Sequence, residues 1–309
     1  MCYSAMVEAR YREYLRLLGA EMDLEQFEQV YGQRLTDSSV RIPRAIDRWF
    51  DRPESAVEHR IRGHIDAYRT ATVTRLETEI FAQRKRLAEA ERKLATRATK
   101  AASESKRIAG DKISAALARL PLYRGIAPTA LDARIFPFHH APIVLEQAGR
   151  RVLRLARYHC RPSGKPPSID RQYPGLYNAR RDNLEKFWRG QFGSAHAVML
   201  IESFFENAER DGRNQILHFV PRPAQPMRVA CLYSEWTDPK DGRRLLSFAA
   251  VTDEPPAEVA AAGYDRMIVN LAAEAVDRWL APEGRSAAEL QALLDERERP
   301  YYAHQVLAA

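Results

Sequence analysis

A chain of 309 residues, 45% of them hydrophobic and 29% charged, has the length and apolar content for a sizeable core, as two domains or as one domain with an insertion. No apolar run approaches the ~18 to 20 residues of a membrane span, and the opening Met1-Cys2-Tyr3-Ser4 begins no secretory signal, so no membrane partner is indicated and a cytoplasmic protein is expected. Cys2, Cys160 and Cys231 are an odd number without CxxC spacing, which argues against a disulfide framework or a zinc ribbon, and nothing implies a metal or other cofactor.

The formal net charge is +7, and its location says more than its sum. Residues 60–118 hold fourteen Lys or Arg against seven Asp or Glu, so the surplus of seven lies in this segment and the rest of the chain is neutral. From Val7 to about Leu120 the pattern is almost continuously helical. Tyr11, Leu15 and Leu18 form an apolar stripe, Asp23 and Gln26 resemble a capping box, and Pro43 and Pro53 mark loops around Trp49 and Phe50. A long helix is expected from His64, with Val73, Leu76, Ile80, Leu87 and Leu94 on a and d positions of a heptad that Gln83 and Arg97 interrupt. A turn near 101–110 would make this a helical hairpin. Its basic face reads either as a solvated coiled-coil surface or as a contact for nucleic acid, and the segment offers a surface for self-association or a protein partner.

Beyond Pro121 helical periodicity gives way to short apolar runs: 141–145, 152–158, 197–205, 215–220, 227–233 and 245–252. Turn signals at Arg210-Asp211-Gly212-Arg213 and at 238–242 separate some of them, which predicts a curled, mostly antiparallel sheet or barrel. Helices are expected at 180–192, 272–280 and from Ser286, capped by Glu289, to about Glu298. The class is α+β. The expected division is a discontinuous domain of 1–5 and 121–309 around a helical insertion of 6–120 with a coiled-coil segment at 64–118.

Cys2 follows the initiator methionine, so loss of Met1 would expose an amine and a thiol on adjacent carbons. Such a 1,2-aminothiol condenses with an aldehyde to an imine and closes a thiazolidine, and its thiolate is also an ordinary nucleophile. The plainer reading is an accident of a loosely held terminus. Asn178 offers an amide to a reacting carbonyl or to the Cys2 amine, or else it caps a helix. Arg180 is placed to clamp a phosphate, or to make a surface ion pair. Glu206 follows Phe204 and Phe205, so burial would raise its pKa into the range of a general acid or base; otherwise it is an exposed carboxylate at a strand end.

With Cys2, four stretches in order carry a resemblance: Tyr177-Asn178-Ala179-Arg180; Leu200-Ile201-Glu202-Ser203-Phe204-Phe205-Glu206; Ala230-Cys231-Leu232-Tyr233 with 247–252; and Tyr264-Asp265-Arg266-Met267. The set resembles the SRAP domain, the SOS-response-associated peptidases, over Met1-Cys2 and roughly 135–306. The resemblance implies a SRAP-type fold. It implies that Cys2 crosslinks to abasic sites in single-stranded DNA and takes part in removing Met1, that Asn178 and Glu206 handle proton transfers and positioning, and that Arg180 and Arg266 contact DNA. The family's histidine is Tyr264 here, Ile268 stands for its proline, Ser203 for its glycine, and Tyr3-Ser4 for the Gly-Arg after the cysteine. Tyr264 is a poor proton shuttle near neutrality, and His140 or His159 is a candidate to supply the missing imidazole. Crosslinking is expected to survive this exchange better than crosslink reversal or Met1 removal. Two other functions fit the same residues: a non-catalytic DNA-binding or scaffold protein with a decayed site, and an N-terminal-nucleophile amide hydrolase.

Overall fold

A computed structural model describes residues 4–7, 11–125, 129–210 and 213–307. The chain opens with a strand, β1 (Ser4–Val7), and α1 (Tyr11–Leu18), followed by a two-residue strand, β2 (Glu21–Met22), and α2 (Leu24–Thr36). The near-continuous helix expected from Val7 is therefore broken by strands that join the sheet. On α1 the buried face is Tyr14 and Leu18. Asp23 caps α2 by accepting from the Gln26 backbone, while the Gln26 side chain turns away to hydrogen-bond both the N–H and the C=O of Leu155. That exchange fastens α2 to the sheet.

A short α3 (Arg44–Asp47) leads into α4 (Ala56–Thr96) and α5 (Lys100–Tyr123), the antiparallel hairpin. Helix α4 starts eight residues before His64 because Ser55 and Glu58 form a reciprocal capping box. The turn also comes earlier than 101–110. Arg97 is extended and Thr99 caps α5 through the Ala102 N–H, after which the Ala-rich run is good helix and carries Gly110 inside it. The expected heptad holds in part. Leu76 and Ile80 are buried, Leu87 and Leu94 only partly, and Gln83 and Ala90 fill core positions opposite Ala102, Ala109 and Ala116 of α5.

The remaining elements are β3 (Arg134–Ile135), β4 (His140–Gln147), β5 (Arg150–Tyr158), a short α6 (Ile169–Gln172), β6 (Asn178–Arg180), β7 (His196–Arg210), β8 (Arg213–Arg222), β9 (Met227–Thr237), β10 (Arg244–Asp253), α7 (Ala257–Ala261), β11 (Met267–Ile268), α8 (Val276–Leu280), α9 (Ala287–Leu293) and β12 (Tyr301–Leu307). Five strands close on themselves: β7 pairs β4, β4 pairs β5, β5 pairs β10, β10 pairs β9, and β9 returns to β7. The others extend this barrel, with β1 and β8 on the distal half of β7, β12 on β8, and β6 and β11 on β10. The expected α+β barrel is the observed class, and the hairpins foreseen around 210–213 and 238–242 are β7–β8 and β9–β10.

Alternation along each strand divides the core in two. Val198, Leu200, Leu153 and Leu155 pack with Tyr14, Phe27, Tyr31, Ile61 and Ile65 of the N-terminal helices and with Trp279 of α8. Their neighbours Ala197, Met199, Ile201, Ile143 and Leu145 belong to a second cluster inside the barrel, with Phe204, Phe219, Phe248, Tyr158, Tyr177 and Tyr264. The helix expected at 180–192 is absent. Asn178–Arg180 is committed to pairing with β10, and the stretch after it, interrupted by Asn183, Gly190 and Gly193, folds as tight turns that bury Leu184 and Trp188. Helix α9 has the foreseen Ser286–Glu289 capping box but ends at Leu293.

Candidate active site

Glu206 does not end a strand, as its sequence context suggests. It sits within β7, opposite Leu217 of β8, with its side chain on the same face as Phe204 and so toward the barrel interior. It is 2% exposed. Burial pushes its carboxyl up to about 8; the nearby Asp265 carboxylate adds to the rise and Arg266 opposes it. The turn before β11 thus lies within electrostatic reach of the buried acid. In that turn Tyr264 is buried edge-on to Phe219, with ring centroids 5.7 Å apart, and Arg266 holds the exposed Asp265 at 2.7 Å.

Asn178 reaches the barrel interior by another route. It pairs with Ala250 in the parallel β6–β10 register, and its Oδ1 accepts a long hydrogen bond from the Tyr158 hydroxyl, at 3.5 Å. Among the described residues its buried Nδ2 has no hydrogen-bond partner. Asn178 is therefore a strand residue and not a helix cap. Arg180, at the far end of β6, does not open a helix either. It makes a bidentate pair with Asp182 on the surface, at 2.9 and 2.6 Å. The structure brings Glu206, Asp265 and Arg266 together, and places Asn178 and Tyr264 on the same interior; Arg180 stands outside, at the rim.

Cys2 lies outside the described residues. The strand that follows it is fixed in detail. Ser4 pairs with Phe205, directly beside Glu206, and Ala5 with Phe204. The Arg134 guanidinium donates to Ser4 Oγ at 3.0 and 2.8 Å and stacks 3.8 Å over the Phe205 ring. Neither Arg134 nor Tyr158 stood out in the sequence, because each acts through a partner more than a strand away.

Two departures from the family pattern have local explanations. The Ser203 hydroxyl is 2.7 Å from His218 Nε2 on β8, and Ile268 pairs with Thr252 in the ladder. The candidate imidazoles sit elsewhere. His159 stacks on Phe138 at 4.3 Å and lies 3.8 Å from Asp170, and His140 lines the cleft between α2 and the β9–β10 hairpin. Burial, with Arg157 adding to it, pushes them down to about 4 and about 3, so both are neutral. Cys160 and Cys231 are buried thiols; burial pushes Cys160 up to about 12 and Cys231 higher still, which keeps both unreactive. Among the described residues no group of His, Cys, Asp and Glu has the makings of a metal site, and no helix is long and apolar enough to cross a membrane.

The family model described as SOS response associated peptidase (SRAP) matches residues 103–309. The chain belongs to the SRAP family. The match begins within α5, so α1 to α4 lie before it. Among solved structures the chain is similar to a protein from Bacteroides thetaiotaomicron, at 19% identity over 57% of this chain and 78% of that one, with a TM-score of 0.49. It is similar also to a protein from Bordetella bronchiseptica, at 19% identity over 57% and 88% of the two chains with a TM-score of 0.47. A phage-related protein of the same organism gives 17%, 57%, 82% and 0.44. No curated protein matches.

Proposed function

We propose that this SRAP protein captures abasic sites in single-stranded DNA as a thiazolidine on Cys2, after Met1 is removed. The observation that carries the reading is Glu206, a carboxyl that burial keeps protonated at neutral pH, on the strand that pairs with Ser4, two residues after Cys2. The Cys2 amine adds to the ring-opened aldehyde to give a carbinolamine. Glu206 donates the proton with which the hydroxyl leaves as water, and an imine forms. The thiol then adds across the C=N bond: sulfur bonds carbon, the nitrogen keeps a proton, and Glu206 recovers its own from the thiol. One water is released in all.

Asn178 supplies the donor for the aldehyde oxygen through its buried Nδ2. Arg180 and Arg266 take DNA phosphates by exchanging their exposed partners, Asp182 and Asp265, for them, a small loss because exposed pairs contribute little. The Tyr264 phenol stands in the place of the family histidine. In the same reading 1–5 and 121–309 form the reacting unit, 6–120 is accessory, and the protein works in the cytoplasm.

The test is to incubate the purified protein, its Met1 removal checked by intact mass, with an oligonucleotide bearing one abasic site. A heat-stable adduct is expected, and Cys2→Ala abolishes it. No adduct from the processed protein, or an undiminished one from Cys2→Ala, overturns the proposal.

A further inference from the structure

Between Arg75 and Arg97, helix α4 and its C-cap residue Arg97 carry seven Lys or Arg and four Glu. Three of those carboxylates are taken by cations from elsewhere: Glu77 by Arg124, Glu79 by Lys112 at 3.6 Å, and Glu91 by Lys106 at 3.1 Å. Among the described residues none of the seven cations makes an ion pair, and the one carboxylate left is Glu89. The hairpin's cross-pairing thus takes up carboxylates of α4 with cations from outside it. The distal part of α4 is therefore left with cations that have no carboxylate of their own to pair with.

These charges have an aromatic companion. Phe81 is 76% exposed on the same helix. Gln83 and Ala90 face α5, and Phe81, Lys85 and Arg92 each lie two residues from one of them, ~200° around the helix, so the three share the outward face. From Phe81 to Arg92 is ~17 Å along the axis, a span of several phosphates. A helix that only needed to stay soluble would gain nothing from an exposed phenylalanine between cations. Duplex DNA keeps its bases stacked and gives such a ring nothing to lie against, whereas an unpaired strand offers both phosphates and free base faces.

We propose that the outward face of α4 binds single-stranded nucleic acid non-covalently, with Lys85 and Arg92 on phosphates and Phe81 against a base. The contact is independent of chemistry at Cys2. The probe is an undamaged, fluorescein-labelled oligothymidylate, long enough to cover a binding site of roughly 4–16 nucleotides several times, titrated at a series of salt concentrations beside a duplex of the same length. In the Lys85→Gln, Arg92→Gln variant the slope of log K against log salt falls by about 1.4, from ~0.7 per lost contact on single strands. Phe81→Ala weakens single-strand binding roughly fivefold or more and leaves duplex binding as it was. A double variant of wild-type helicity with an unchanged slope, or a wild-type protein that binds duplex as tightly as single strand, overturns the proposal. Because the probe contains no aldehyde, this outcome and that of the adduct assay are read separately.

Discussion

Glu206 is at once a chemical asset and a cost to the fold. Its folded-state pKa lies near 8 against an ordinary value of 4.5, so between those limits the folded chain holds a proton that the unfolded chain has released. The unfolded state then binds fewer protons, and stability falls as pH rises from about 4.5 to about 8. Glu206→Gln removes the titration. Its melting temperature is expected to vary less with pH across that window than the parent's, while adduct formation slows by roughly 10²-fold or more, as for loss of a general acid. A melting curve with the parent's pH dependence would show that Glu206 is not the group. The two phenylalanines before Glu206 made its burial legible. Asn178 was legible as a residue but not as an element, since Asn suits a helix cap by local chemistry and only the long-range pairing with Ala250 makes it a strand. Tyr158, its hydrogen-bond partner twenty residues earlier, carries no local mark at all.

At the scale of elements, the N-terminal helices are joined by a buried charge pair. Arg34 of α2 donates to Asp47 of α3 at 2.8 Å, Tyr31 donates to the same carboxylate at 3.0 Å, and the Arg34 guanidinium lies 3.8 Å over the Tyr68 ring of α4. Removing one partner of such a pair leaves an uncompensated charge inside, so Asp47→Ala is expected to cost about 3–5 kcal/mol in denaturant unfolding. A loss under 1 kcal/mol would mean that water reaches the guanidinium. Periodicity found the hairpin, but not its ends. Those are set by capping at Ser55 and Thr99, and Gly110 looks like a breaker only until the alanines facing α4 are seen to hold it in helix. Gln83 was read as a flaw in the heptad; it occupies a core position and donates back to Glu79.

Across the molecule, order is unevenly supported. The barrel strands are buried on both faces, whereas the apolar cluster of the hairpin comprises Leu76, Ile80, Ala116 and Leu120, all toward its base. Hydrogen exchange should therefore find amides of 85–108 opening well before those of β7 and β10, and equal protection in the two would contradict this division. The barrel class was legible because six apolar runs of strand length follow one another between turns. Its closure was not, since β9 returning to β7 and β5 lying parallel to β10 are pairings between distant segments.

Another distant pairing, of β1 with β7, bears on how the protein is made. Ser4 finds its partner in Phe205, so although the short β3 can pair Ala5 and Met6 earlier, the first strand lacks β7 until some two hundred residues more have been synthesised. At ~5–20 residues per second that wait is on the order of 10–40 s. Throughout it the start of the chain is outside the ribosome and not yet docked on β7, open to the enzymes that trim nascent termini. Docking of β1 against β7 and the Arg134 clamp then ends that opening, making the assembly of the barrel a clock for whatever processing the terminus is to receive.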